Sequence, residues 1–152
     1  MRAPPLPSRQ HGFTYLMILW WVAISSIVLA ALGQHWMMES RRQKEMELAF
    51  RGEQIRLAID AFYEQAPDGQ PKRLPTSWAE LLDDGRRGHT VRHLRRLWPD
   101  PMTGRSWGLI REGPGIKGVY SQAKGRPLRG PDGVDSYEAW RFEQGQPPIR
   151  PR

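Results

Sequence analysis

The stretch Gly12-Phe13-Thr14-Tyr15-Leu16-Met17, continued as ILWWVAISSIVLAAL to Leu32, decides the fold. From Phe13 to Leu32 twenty residues pass without a charged side chain. At about 1.5 Å rise per residue, a helix of that length covers roughly 30 Å, the hydrocarbon thickness of one bilayer. Thr14, Ser25 and Ser26 are compatible with such a span, because a hydroxyl can bond back to a helix carbonyl. Trp20 and Trp21 fall mid-span, whereas Tyr15 and Trp36 suit the two interfacial belts. Upstream lies a short polar leader, residues 1–12, charged only at Arg2 and Arg9. Pro4, Pro5 and Pro7 keep it from joining the helix.

Working outward, the helix is expected to continue past the membrane surface. Residues 34–65 contain no proline and a single glycine, Gly52. Leu48, Ile55, Ile59 and Phe62 recur at spacings of 7, 4 and 3, which predicts one buried helical face. Phe50 and Leu57 form a narrower second stripe, read either as the edge of the core or as a contact with a neighbouring subunit. Gly33 and Gly52 are permissible bend points, at about 1 kcal/mol each against alanine. Pro67 ends the helix, so residues 13–66 would form one rod roughly 80 Å long. The expected division is leader 1–12, membrane half 13–33, amphipathic half 34–66, a small α+β head over 67–143 and a disordered tail over 144–152.

In the head, Ser77 followed three residues later by Glu80 reads as a capping box opening a short helix over 78–84, with Gly85 as its stop. Residues 86–98 stay ambiguous: Val91, Leu94, Leu97 and Trp98 have helical spacing on a short, basic segment. A turn over 100–104 follows. Trp107-Gly108-Leu109-Ile110-Arg111 and Lys117-Gly118-Val119-Tyr120-Ser121 then read as two strands around a turn over 112–115. Residues 135–142 add a last strand or turn.

The start of the chain resembles the Gly-Phe-Thr-Leu-Ile-Glu start of type IV pilins and type II secretion pseudopilins. The resemblance is specific at Gly12-Phe13-Thr14 and extends in coarse order to about residue 125. It implies a pilin-like α+β fold: a long N-terminal helix, transmembrane then amphipathic, packed on a small antiparallel sheet. It implies cleavage between Gly12 and Phe13 by a prepilin peptidase and N-methylation of Phe13. It further implies partnership with other pilin-like subunits and with an inner-membrane assembly platform. The location implied is the bacterial inner membrane, single-pass, with the head in the periplasm. Arg41, Arg42 and Lys44 rival Arg2 and Arg9, so charge alone does not choose that orientation. Where the family has a glutamate at the fifth mature position, Met17 stands here, which points to a tip or accessory role. A mid-membrane carboxylate costs about 2.5–3.5 kcal/mol on insertion scales, and methionine avoids that cost along with the pairing the family gains from it. The rival readings are an uncleaved anchor and a secretory signal peptide cut at Ala31-Leu32-Gly33, which would leave a soluble periplasmic protein.

The chain carries 23 Lys/Arg against 16 Asp/Glu, a formal +7. Eleven of those cations and two of the acids lie between Gly85 and Arg129, so that stretch holds +9 and the remainder −2. Such a local excess attracts an acidic partner, anionic lipid or nucleic acid. Arg86, Arg87, Arg92, Arg95 and Arg96 are the candidate patch, and a membrane-tethered DNA receptor is the binding-module alternative. His89 and His93, four apart, would share a face on a helix, but five arginines around them disfavour a metal, and both read as exposed members of the patch. With no cysteine, thiolate metal sites and disulfides are excluded. Major pseudopilins bind calcium in a loop that corresponds here to residues 121–126, where Lys124 and Arg126 stand in place of oxygen ligands. Asp132 and Asp135 are the only carboxylates able to substitute, against an ordinary Gly-Pro-Asp-Gly turn. No catalytic motif and no cofactor motif is present in the sequence, and the chain reads as a non-enzyme.

Overall fold

A computed structural model describes residues 11–147, with side chains described for 13–31 and 36–147. Helix α1 covers His11–Glu64 and α2 Trp78–Leu82. Three strands follow, β1 Gly108–Glu112, β2 Gly115–Tyr120 and β3 Arg141–Glu143, the last preceded by a 3-10 turn at Tyr137–Ala139. The chain divides into two compact units, Met1–Ser40 and Arg41–Arg152.

In the first unit every described residue belongs to α1. Its side chains over residues 13–31 are exposed except at half-buried Ser25. An 18-residue window reaches a mean hydropathy of 2.3 with none of it buried, so this is a helix long and apolar enough to cross a membrane.

The second unit is an α+β layout in which the Arg41–Glu64 part of α1 lies on a three-stranded antiparallel meander ordered β1-β2-β3. Leu48, Ile55, Ile59 and Phe62 are all fully buried, as their spacing predicts, each such side chain stabilising by about 1.5–3 kcal/mol. Opposite them lie Trp107, Ile116, Val119, Trp140 and Phe142. Phe142 stacks on Trp140 with centroids 6.0 Å apart and meets Trp107 edge-on at 6.3 Å. Glu112 pairs with Gly115, leaving a two-residue hairpin turn. Gly113 takes φ 59° at its first position and Pro114 the second, the residue order that a II′ turn requires. The turn after Pro99 is fixed by Asp100, fully buried, which accepts from the Met102 N–H (2.9 Å), Thr103 Oγ1 (2.8 Å) and Ser121 Oγ (2.7 Å).

Several local expectations are corrected. Helix α1 stops at Glu64 rather than 66, although one more bond, Gln65 N–H to Ala61 O at 2.9 Å, continues its ladder. Ser77 makes no side-chain cap; Glu80 reaches back one residue further, accepts from the Thr76 N–H at 2.8 Å and pairs with Arg73. Helix α2 ends at Leu82, before Gly85, because Asp84 leaves it to form an antiparallel bridge with Val91. That bridge also removes the helical option for residues 86–98. Gly52 is buried within α1. Phe50 and Leu57 are 61% and 45% exposed, so they are not core edge. The expected tail begins too early: Gln144 N–H donates to Lys117 O at 2.9 Å and Gly145 N–H to Asp60 Oδ1 at 3.0 Å. Residues 148–152 lie outside the described part.

Candidate functional site

The apolar part of α1 presents Phe13, Met17, Trp20 and Trp21 outward, with Phe13 80% exposed. Ser26 Oγ donates to the Val22 carbonyl at 2.7 Å, which removes one polar group from an otherwise apolar surface. Ser25 sits in a shallow notch walled by Trp21 and Leu29. The expected Gly12–Phe13 cleavage point lies within α1, which is helical at both residues. Met17 lies one turn beyond Phe13 and is exposed. The expected leader, residues 1–10 of it, lies outside the described part.

The five arginines of the sequence-derived patch separate into two groups. Arg86 is taken into the fold. Its guanidinium lies 3.5 Å from the Phe62 ring centroid, donates to the Phe62 carbonyl at 2.8 Å and binds Asp84 Oδ2 at 2.8 Å. Arg87 Nε donates to the Gln65 carbonyl at 3.1 Å. Both therefore satisfy carbonyls at the C-terminal end of α1, where the helix has no partners of its own and where its dipole favours a cation. Arg92, Arg95 and Arg96 stay exposed.

Asp84 is the centre of the first group. It is 4% exposed and accepts from Arg86 and, on Oδ2, from His93 Nε2 at 3.0 Å. The Arg86 guanidinium, with the His93 ring and the Arg86 N–H behind it, holds the Asp84 carboxyl well below the usual carboxylate range, against the opposing pull of burial. The His93 ring is buried, with 2% of the side chain exposed, and packs edge-on against Phe62 at 5.6 Å. This overturns its reading as an exposed patch member; His89 is exposed as expected. The two do not share a helical face, because no helix forms there.

A second polar cluster escaped sequence reading. Glu45, 2% exposed, accepts from the Leu128 N–H (2.8 Å), the Arg129 N–H (3.0 Å) and the Tyr137 hydroxyl (2.5 Å). Arg41 Nη2 donates to the Arg126 carbonyl at 2.6 Å and Arg41 Nε to the Tyr137 hydroxyl at 3.1 Å. Burial, then the Glu45 carboxylate, pushes the Tyr137 phenol up. Together these contacts fasten residues 126–137 to α1. One signal was available: Glu45 stands three residues before Leu48, in step with the buried stripe. In that same loop Asp135 is exposed and lies 3.4 Å from Arg126. Among the described residues no group of three or more His, Asp or Glu side chains is gathered to hold a cation, around Asp132 and Asp135 or elsewhere.

Compared with known proteins, the chain matches no family model, no curated protein and no solved structure.

Proposed function

We propose that this chain is a pilin-like subunit or accessory of a type II secretion or type IV pilus apparatus, without catalysis of its own. It is held in the bacterial inner membrane by residues 13–33, with its head in the periplasm. The observation that carries the reading is the apolar run of α1. Its 18-residue window of mean hydropathy 2.3 is wholly unburied, yet it belongs to the same helix whose Leu48-to-Phe62 stripe is core. A soluble helix that apolar would be covered; one that is bare requires lipid or other helices around it. The apolar segment would store the subunit in the bilayer and later exchange lipid contacts for contacts with neighbouring helices. Van der Waals fit and small residues drive that exchange. Met17, in the place of a carboxylate, fits a tip or accessory position better than a repeating one.

Intact-mass measurement of the protein from membranes tests the reading. A mature chain starting at methylated Phe13 is expected. A chain starting at Gln34 would establish the signal-peptide rival and end the proposal.

A further inference from the structure

Arg86 is neutralised by Asp84, and Arg87 is turned toward the carbonyls at the end of α1, which leaves Arg92, Arg95 and Arg96 as the arginines of the segment with no bond to the rest of the described fold. None of the three makes an ion pair among the described residues, and all are exposed. The segment carrying them is fastened at both ends. Asp84 and Val91 exchange N–H···O bonds of 2.9 Å, and the His93 and Leu94 N–H groups both donate to the Leu81 carbonyl at 3.0 and 2.9 Å. The His93 ring and Leu94 are buried between the arginines. Downstream, Trp98 O accepts from Trp107 Nε1 at 2.9 Å and Pro99 O from Arg51 at 2.8 Å. The three guanidinium groups thus project from a backbone already ordered, which lowers the ordering cost of binding. Arg96 lies over the Trp98 ring at 5.2 Å, leaving its planar fork free for an oxyanion. Leu97, 39% exposed, is an apolar side chain in the midst of the charge.

We infer that residues 92–97 form a docking surface for a different, acidic protein, one presenting carboxylates around an apolar side chain. Nucleic acid fits less well, since a phosphate backbone offers the exposed Leu97 side chain nothing to pack against. A second copy of this chain is disfavoured by its own +7 charge. Several of its exposed acids are already paired in-house, Glu64 with Lys72 and Glu112 with Lys117 among them.

The test uses the full chain in detergent micelles and three fluorescent probes: a glutamate-rich peptide bearing leucines, the same peptide with serine for leucine, and a short DNA duplex. The leucine-bearing peptide should bind at low salt and be released as salt rises. Joint Arg92→Gln, Arg95→Gln and Arg96→Gln substitution should weaken it about tenfold, as the sum of three exposed charge pairs. Leu97→Ser should weaken it severalfold with circular dichroism unchanged. Failure of the peptide to bind, or indifference to the arginine substitutions, overturns the inference. Preferential binding of the duplex, unaffected by Leu97→Ser, overturns it in favour of a phosphate-binding surface.

Discussion

The ring of Phe142 occupies the space in which a side chain at Gly52 would stand: a Cβ added there falls 2.5 Å from two of its carbons. Strand β3 therefore packs directly on the backbone of α1. The glycine that interrupts the helix pattern is a contact point, in step with Glu45, Leu48, Ile55 and Ile59 along the buried stripe. Gly52→Ala gains about 1 kcal/mol in helix propensity and costs about 1–3 kcal/mol in overpacking, so a net destabilisation of up to about 2 kcal/mol is expected. Urea denaturation measures it, and pairing Gly52→Ala with Phe142→Leu should recover part of the loss. Full additivity of the two substitutions would refute the contact.

Removing Asp84 leaves the half-buried Arg86 and the covered His93 ring without their anion. Asp84→Ala is expected to cost about 3–5 kcal/mol, the scale for breaking a buried pair from one side. Because the folded carboxyl titrates below the unfolded one, near 3.9, its contribution is complete above that value. It is lost as pH falls from there toward the folded pKa. Stability measured across acid pH should accordingly fall more shallowly in Asp84→Asn than in the parent.

Arg87→Ala should destabilise by about 0.5–1 kcal/mol through the helix end it caps. Arg92→Ala, Arg95→Ala and Arg96→Ala should each stay within about 0.5 kcal/mol, since they touch little. Thermal denaturation of the four variants distinguishes fold arginines from surface ones; equal effects in all four would contradict the division.

Glu45→Gln should loosen residues 126–137, which hang on that carboxylate from three donors. A loss of about 2–3 kcal/mol is expected, the scale for hydrogen bonds to a charged group. Hydrogen exchange at the Leu128 and Arg129 amides should accelerate, while amides in β1 and β2 change in proportion to global stability only.

Met17→Glu should change incorporation into filaments while leaving the melting of the head unaltered, since Met17 belongs to the other compact unit. The added carboxylate costs about 2.5–3.5 kcal/mol in a bilayer unless a neighbouring subunit pairs with it. Sheared-filament yield is the measurement. Unchanged incorporation removes the support for a tip or accessory role.

The amphipathic stripe was readable because helical periodicity is a local property. Leu48, Ile55, Ile59 and Phe62 announce their face by spacing alone, and the hairpin around Gly113-Pro114 announces itself by turn chemistry. The second stripe shows the limit of that argument. Phe50 and Leu57 have the same kind of spacing, and only the direction in which the sheet packs leaves them bare. Likewise five arginines in eleven residues look alike in one dimension, and two of them turn out to be helix caps.

By itself, then, the amino-acid sequence determined the unbroken apolar run of residues 13–32, the helix extending beyond it and the α+β order of the head. Each of these follows from the solvent preference of residues close together in the chain. Tertiary structure alone decided that Glu45 holds residues 128 and 129, 83 and 84 positions away, that Arg86 closes the end of α1, and that His93 is buried on Asp84. A polar group's partner is whatever donor or acceptor the packed chain brings within about 3 Å once water is excluded, and that proximity is not encoded in local spacing.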